Sequence, residues 1–448
     1  MYPYFGEINN PERRNPIESQ KETFNPVKLF YQARHAFRIP QRLFLTQMNR
    51  RGVTSCEIVT FVLFAIFMGA SSIAQMPHMV AGMITMVSTS CIYLWLKDPR
   101  FDSRKLLRMP FLNCQGINFI DDTYCLCEGI HIDGVSIQRD PNTGLKSLGH
   151  AVVALYQWTK GRCGFVDFAI SVSSKRPKGV GPGRLPKPIQ EAKDKKKWEI
   201  ALELLERSKV TGVCVFDSFY CCLGFLLGLG RLHMGFVGRV AFHWRRRFLV
   251  DGVPMTAREF FHSRKSFKRD PKTGVLFCQK IVIWPGLGEV KLVCVKFFKE
   301  GKRRISEAIL VTDQLDWFAS RVIATYLMRP TIEQAFKELK QLFMLQSYHL
   351  RSWQGILNYI GISMLAHNMA AWMSSRCGLA IPTLVILFRR YAMVQQAHQL
   401  AQAHIEELSV EIEAALAKQP AVYEQVKSIL RRYHTLAPEL PGQLTKCA

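Results

Sequence analysis

The feature that most restricts how this chain can fold is a long apolar stretch, residues 58–96, which contains no Asp, Glu, Lys or Arg. Such a stretch either crosses a membrane or lies in the core of a protein. Gln75, Pro77 and His78 interrupt it, and Ser and Thr dilute its second half, so each half is marginal for spanning a bilayer. The polar and charged residues before it do not resemble a signal peptide. We therefore expect a buried pair of core helices, with membrane insertion as the alternative.

The charge of the chain indicates a polyanionic partner. Its 448 residues include 60 Lys and Arg against 35 Asp and Glu, a formal net charge of +25, while the hydrophobic share of 48% is typical of folded domains. A surface this basic attracts nucleic acid or an anionic membrane. The 13 Cys residues are an odd number without a repeat and include adjacent Cys221 and Cys222, which favours reduced thiols in the cytoplasm.

The central part of the chain predicts the order strand, strand, strand, helix, strand. The run GINFI leads directly into Asp121 and Asp122, and two β-rich runs joined by the turn-like TKGR follow it. A Lys-, Gly- and Pro-rich loop comes next, then a helical pattern in WEIALELLERSK, then a strand that ends at Asp217. Residues 245–306 contain basic, alternating segments that predict a separate small β unit.

Carboxylates at strand ends predict a metal site. If the first and fourth strands are neighbours, the Asp121–Asp122 pair and Asp217 lie side by side at the same edge. A cluster of carboxylates without a local Lys is costly unless divalent cations occupy it, and Mg²⁺ or Mn²⁺ is the natural occupant. Two such ions can activate a water molecule and stabilise the leaving oxygen of a phosphodiester. Together with the positive charge, this site indicates DNA as the substrate.

The segment YLMRPTIEQAFKELK carries four polar residues at helical spacing, which are Tyr326, Arg329, Glu333 and Lys340. On one continuous helix they would lie within an arc of about 60°. Pro330 favours another arrangement, in which the helix begins at Pro330 and Arg329 lies just outside it. The neighbouring apolar stripe, expected to anchor the helix to a core, contains Ile332, Phe336, Leu339 and Phe343. Taken alone, the segment also fits an ordinary solvated helix with Glu and Lys four residues apart.

Together these motifs resemble the DDE transposases of bacterial insertion sequences. YLMRPTIEQAFKELK is similar to the Tyr-Arg-Glu-Lys signature of the subgroup that carries a β-strand insertion before the Glu helix, and ILVTD upstream is similar as well. The order of elements resembles an RNase H fold. The resemblance covers roughly residues 111–370, and Pro330 stands where the family usually has an aromatic residue.

The resemblance implies an α+β or α/β fold, with an RNase H-like catalytic core interrupted by a β-rich insertion and flanked by helical N- and C-terminal regions. The expected boundaries are a helical N-terminal DNA-binding domain at 1–110, the first part of the core at 111–244, the β-rich insertion at 245–306, the second part of the core with the Glu helix at 307–375 and a C-terminal helical region at 376–448.

The resemblance also implies roles for single residues. The catalytic, metal-binding residues would be Asp121, Asp217 and Glu333, which would hold two Mg²⁺ ions, with Mn²⁺ as a substitute. Asp122 is the alternative first ligand, and strand alternation favours Asp121. The DNA-binding candidates are Tyr326, Arg329 and Lys340, together with Lys337, which shares a face with Glu333.

Other residues are candidates for stacking, metal binding or proton transfer. Trp244 and Trp284, in the expected insertion, are candidates for stacking on an unpaired base, with a place in the core as the alternative. The carboxylates of Asp313 and Asp316 compete for the metal role, but we expect them to cap the helix that follows. The histidines weighed as general bases are His150, His243 and His262, and we expect them to be packed or phosphate-binding.

The resemblance implies a transposase that cleaves DNA at the ends of an insertion sequence and transfers the strand into target DNA. Its partners would be the terminal inverted repeats, the target DNA and a second copy of the chain, in a nucleoid-associated cytoplasmic location. The alternatives are an inactive, transposase-derived DNA-binding protein and, more remotely, a membrane protein.

Overall fold

A computed structural model describes residues 25–39, 53–416 and 428, with gaps inside the long range. The gaps are residues 82, 85, 128, 130, 140–143, 145, 161, 174–188, 191–193, 243–244, 272 and 299–304. Trp244 and His243 therefore lie outside the described residues. So does the segment QPAVYEQ at 419–425, whose sequence predicts a break between two C-terminal helices.

Helices occupy both ends of the described chain. The N-terminal helices are α1 (Pro26–Ala36), α2 (Ser55–Met68), α3 (Met76–Val80), α4 (Thr89–Leu96) and α5 (Ser103–Arg108). The helices described between strands include α6 (Lys197–Ser208), α7 (Leu223–Arg231) and α8 (Ala257–Ser263). The C-terminal helices are α9 (Ala319–Leu327), α10 (Pro330–Leu342), α11 (Trp353–Cys377) and α12 (Ile381–Leu416).

Among the described residues, twelve strands form one mixed sheet. The first six are β1 (Gln115–Leu126), β2 (Ser136–Arg139), β3 (Lys146–Thr159), β4 (Arg162–Ser171), β5 (Thr211–Phe216) and β6 (Gly235–Val240). The other six are β7 (Arg247–Val250), β8 (Val253–Thr256), β9 (Lys268–Arg269), β10 (Leu276–Trp284), β11 (Gly288–Phe298) and β12 (Ile305–Thr312). The order across the sheet is β2-β3-β1-β5-β6-β12-β11-β10-β7-β8, with β4 on β3 and β9 on β10.

The strand pairing confirms several expectations from the sequence. The β3–β4 pair is an antiparallel hairpin, as TKGR predicts. The strand before Asp217, β5, runs parallel to β1 on one side and to β6 on the other, so the first strand is next to the strand that leads to Asp217. The helix predicted from WEIALELLERSK is α6, whose apolar positions are buried on one face of the sheet.

Two expectations about the strands were wrong. Strand β1 does not end at Asp121 and Asp122 but continues to Leu126, because the two side chains point to opposite faces and each finds a cation there. The segment 245–306 is rich in strands, but they do not form a separate sheet. Strand β11 pairs with β12, which pairs with β6, so the segment extends the same sheet.

The core lies on both faces of the sheet. One cluster packs Phe119, Val215 and Val237 beneath α10 and α11 and continues into the N-terminal helices. The other packs Ile120 and Phe216 against α6 and α7. Because β1 and β5 contribute side chains to both clusters, their positions are fixed from two sides.

Helix α2 is a core helix of this structure. A capping box between Thr54 and Glu57 begins it, and Gly69 in the left-handed conformation ends it. Every residue from Ile58 to Met68 is buried, as the sequence predicts for the first half of the apolar stretch, whereas the second half forms the two short helices α3 and α4. Among the described helices none alone is long and apolar enough to cross a bilayer, while α11 and α12 up to Glu411, bent by 96°, meet that criterion only as a pair.

Helix α11 joins the N-terminal helices to the sheet through two buried amides. The side chain of Asn358 donates to the Leu96 and Phe101 carbonyl oxygens and accepts from the Ser103 amide. Further along α11, the side chain of Asn368 accepts a hydrogen bond from the Phe165 amide and donates one to the Phe165 carbonyl oxygen. These contacts hold α11 against β4, and α11 in turn supports α10.

Candidate active site

Three of the predicted carboxylates meet at one guanidinium group. Arg329 Nη2 lies 2.8 Å from Asp121 Oδ2 and 3.9 Å from Asp217 Oδ2, and Arg329 Nη1 donates to Glu333 Oε1. The three acidic residues come from β1, from the end of β5 and from α10, so they are far apart in sequence. We call Asp121, Asp217, Glu333 and Arg329 the carboxylate cluster.

The parallel pairing of β1 and β5 explains why Asp121 and Asp217 are close. Phe119 is the register partner of Val215, and each aspartate follows two residues later on its own chain segment. Side chains two residues apart along a strand point to the same face, so Asp121 lies on the face that α10 covers. Asp217 comes directly after β5, where its Oδ1 accepts a hydrogen bond from the Phe219 amide.

Pro330 places Arg329 and Glu333. The structure confirms that α10 begins at Pro330, with Arg329 in the N-cap position between α9 and α10. Glu333 lies four positions after Arg329, which brings their side chains onto the same face. The predicted apolar stripe of α10 is buried, as the low exposure of Ile332, Phe336, Leu339 and Phe343 shows. This packing fixes the polar face of the helix toward β1.

Asp122 lies on the opposite face of β1 and is bound by a different set of residues. Lys197, the first residue of α6, forms an ion pair with Asp122 at 2.6 Å, and the Tyr220 hydroxyl donates to the same carboxylate at 3.1 Å. This arrangement separates the doublet, because Asp121 belongs to the carboxylate cluster and Asp122 does not. The sequence offered no signal for Lys197, which lies in a run of lysines that resembles a solvated helix end.

The other DNA-binding candidates on α9 and α10 differ in how far they are exposed to solvent. Tyr326 is half-buried at the end of α9, and its carbonyl oxygen accepts from the Arg329 amide. Lys340 is half-buried two turns beyond Glu333, where its charge opposes the rise in the pKa of Cys125 that burial causes. Lys337 is exposed.

Burial and like charge make the cluster a site that favours cations. Desolvation raises the pKa of Asp121 to about 7; Arg329 opposes the rise, and the charges of Asp122 and Asp217 add to it. The Asp121 side chain is 13% exposed, whereas that of Glu333 is 51% exposed. Without a positive charge at its centre, the cluster would bring ionised carboxylates together at low dielectric.

The donor chemistry of the cluster fits a hard divalent cation. Carboxylate oxygens are the ligands that Mg²⁺ and Mn²⁺ prefer. Within the described part of the chain, however, no group of three or more His, Cys, Asp or Glu side chains has the spacing of a metal site, since the guanidinium of Arg329 lies between the carboxylates. The Arg329 Nε atom is buried and has no acceptor among the described residues.

The structure also places the candidate stacking residue Trp284 and the two alternative carboxylates. Trp284 is 2% exposed and packs edge-on against Phe248, so neither face of its indole is open to a base. Asp313 does not cap α9, whose N-cap is Phe318, but accepts from the Phe236 amide. Asp316 is exposed.

Two of the three candidate histidines are described. His150 is fully buried; its Nε2 atom lies 2.9 Å from the Asp133 carbonyl oxygen, and its Nδ1 atom lies 2.7 Å from the Tyr348 hydroxyl. His150 is therefore packed, as expected, and lies away from the carboxylate cluster. His262 is exposed and lines an open cavity beside α8.

Comparison of the chain with models of known protein families gives no match, and a search of curated proteins gives none either.

Proposed function

We propose that this chain is a metal-dependent DNA transposase of the DDE type. The observation that carries the proposal is the meeting of Asp121, Asp217 and Glu333 at Arg329. The family resemblance implies these residues as a catalytic set, and they come from three separate elements. A solvated-helix interpretation of α10 does not account for contacts from Arg329 to β1 and to the end of β5.

The sheet supports an RNase H-like core. The order β4-β3-β1-β5-β6, with β3 antiparallel to β1 and with β1, β5 and β6 parallel, is the order expected for that fold. The β-rich segment between β6 and α9 supports an insertion before the Glu helix. The net charge of +25 supports DNA as the partner.

The proposed reaction has two steps. Water attacks a phosphodiester at the element end, the bond from phosphorus to the 3′ oxygen breaks, and the 3′ oxygen leaves as a hydroxyl. That hydroxyl then attacks a target phosphodiester, forms the new bond and releases a 3′ hydroxyl of the target. Bound at Asp121, Asp217 and Glu333, Mg²⁺ ions would supply activation of the nucleophile and stabilisation of the leaving oxygen.

Arg329 has a role of its own in this proposal. In the structure its guanidinium neutralises the carboxylates, and its buried Nε atom has no acceptor in the part of the chain that the structure describes. A guanidinium binds phosphate as well as it binds carboxylate. We therefore expect Arg329 to change partner from carboxylate to DNA phosphate when DNA and cations bind. Tyr326, Lys337 and Lys340 extend this phosphate-binding surface along α9 and α10.

The contact of Arg329 with all three carboxylates also favours a second candidate. If the guanidinium stays in place, it excludes cations, and the chain is then a DNA-binding protein without nuclease activity. Both candidates imply association with nucleoid DNA in the cytoplasm. The first also implies a complex of two copies on two inverted-repeat ends.

The test compares variants of the full chain on duplex DNA that carries the sequence flanking its own coding region. Cleavage in Mg²⁺ and in Mn²⁺ is measured beside binding of the same DNA. We expect Glu333→Gln and Asp217→Asn to lose at least about 100-fold in cleavage rate, since each removes a metal-binding charge, while both keep DNA binding. The matched control is Asp316→Asn, which removes an exposed carboxylate outside the cluster.

The outcomes separate the candidates. Loss of cleavage in the two cluster variants and not in the control supports the transposase. Wild-type protein that binds DNA but cuts it with neither cation favours the DNA-binding candidate. If Glu333→Gln cleaves DNA as fast as the wild-type protein, the assignment of Glu333 as a catalytic carboxylate is wrong.

A further inference from the structure

Two cysteines lie opposite each other on β10 and β11, in the part of the sheet formed by the β-rich segment and away from the carboxylate cluster. Cys278 on β10 and Cys294 on β11 are register partners in an antiparallel pair, so their side chains point to the same face. Cys294 is fully buried in the core cluster beneath this face, whereas Cys278 is partly exposed. Both are free thiols in the structure.

The strand geometry suits a covalent bond between them. Directly opposite residues of antiparallel strands have Cα atoms about 4.5 or 5.5 Å apart, depending on the hydrogen-bonding position. Disulfides join residues whose Cα atoms are about 4.4 to 6.8 Å apart. Either kind of pair therefore lies within the Cα range of a disulfide.

The two thiols differ in chemical character. The hydrogen bond from Cys294 lowers the pKa of Cys278; burial opposes this effect, while the positive charges of Arg264 and Lys296 add to it. The same hydrogen bond raises the pKa of Cys294, and burial adds to the rise. Cys278 is thus the better nucleophile, and Cys294 holds the proton that stabilises its thiolate.

The cations are held in place by neighbouring side chains. Lys296 lies two residues after Cys294 on the same face; its Nζ atom is 4.4 Å from the ring centre of Phe267 and 3.6 Å from the Glu307 carboxylate. Arg264 lies over Phe260, 4.6 Å from its ring centre. Glu307 also lines an open cavity of about 390 Å³ with Phe242, Arg258 and His262.

We propose that Cys278 and Cys294 form a peroxide-reactive site, in which a hydroperoxide oxidises Cys278 and Cys294 resolves the product to a disulfide. The Cys278 thiolate attacks one peroxide oxygen, the O–O bond breaks, an S–O bond forms, and the other oxygen takes a proton and leaves as water or an alcohol. The Cys294 sulfur then attacks Cys278, an S–S bond forms, and the hydroxyl leaves as water. The two thiols lose two electrons, and the peroxide gains them.

The experiment uses the reduced full-length protein and hydrogen peroxide. After exposure, free thiols are alkylated under denaturing conditions and peptides are mapped without reduction. We expect a peptide pair linked through Cys278 and Cys294 in the wild-type protein, a measurement that depends on no variant. In Cys294→Ala, we expect Cys278 to be trapped as a sulfenic acid by a dimedone probe.

Two further variants test the chemistry. Arg264→Gln removes a cation near Cys278 and should slow its oxidation about threefold, because the thiolate fraction falls faster than the nucleophilicity rises. Cys222→Ala, in the adjacent pair Cys221–Cys222, is the matched control and should leave the linked peptide unchanged. The proposal would be overturned if, in the peptide map of the wild-type protein after peroxide, Cys278 and Cys294 are both found alkylated or are linked to other cysteines.

Discussion

At the scale of single residues, the buried histidine His150 makes the stability of the protein depend on pH. Burial lowers the pKa of His150 to about 4, and the hydrogen bond to the Asp133 carbonyl oxygen only partly opposes this effect. In the unfolded chain the pKa is near the ordinary value of 6.5. Between these values the unfolded chain binds the proton more tightly, so the stability that neutral His150 contributes is complete above pH 6.5 and is lost as the pH falls toward 4.

His150→Gln should reduce this dependence. The Gln side chain does not titrate but retains a donor and an acceptor. We expect the wild-type protein to lose on the order of 3 kcal/mol more than the variant between about pH 7 and pH 4, measured by denaturant unfolding at both values. The matched control is His262→Gln, at an exposed position, which should keep the wild-type dependence. If His150→Gln and the wild-type protein lose the same free energy of unfolding over this pH range, His150 is not the source of the pH dependence.

Residue types, spacing and the family resemblance predicted that Asp121, Asp217 and Glu333 lie together, but not which cation neutralises them. Asp217 was recognisable because it ends an apolar strand, and Glu333 because of its position in a helical signature. The contact between Arg329 and Asp121 joins residues more than 200 positions apart, and it depends on how α10 docks on β1. Nothing in the local sequence determines that docking, and for the same reason Lys197 was not recognised as the partner of Asp122.

At the scale of secondary-structure elements, β1 and β5 approach each other at a pair of glycines that leaves no room for a side chain. Gly116 on β1 is the register partner of Gly212 on β5, and Gly212 has a φ of +111°. A Cβ atom added to Gly212 would lie 2.1 Å from the Gly116 carbonyl oxygen, a backbone atom that cannot move without breaking the pairing. This pairing is the one that brings Asp121 level with Asp217.

Gly212→Ala should therefore separate the two strands. We expect a loss of about 3 kcal/mol or more in the free energy of unfolding, together with loss of the proposed cleavage activity. The matched control is Gly230→Ala in α7, where an added Cβ atom meets no described atom within 4 Å beyond its own helix backbone and chain neighbours. This change should leave stability unchanged or raise it by up to about 1 kcal/mol. Thermal unfolding of both variants decides the question, and an unchanged midpoint in Gly212→Ala would be the contrary result.

Local sequence patterns predicted where the strands and helices lie better than they predicted which strands pair. Alternation and turn residues identified the β3–β4 hairpin, β5 and the strands of residues 245–306, and Pro330 identified the start of α10. The pairing of β11 with β12 was not predictable, because an amphipathic strand can satisfy its hydrogen bonds on any sheet edge. The length of β1 was also missed, since an Asp doublet is unfavourable in a strand unless tertiary contacts supply cations.

At the scale of the whole molecule, the net charge of +25 makes a prediction that does not depend on the carboxylate cluster. Binding to duplex DNA should release counterions, and with six or more phosphate contacts the affinity should fall about a thousandfold as salt rises from about 50 to about 200 mM. Glu333→Gln should bind at least as tightly as the wild-type protein, because it removes a negative charge near the proposed phosphate surface. Titration of labelled duplex at several salt concentrations measures both effects. An affinity that does not change with salt would show that the positive charge serves another purpose, whatever the cleavage assays find.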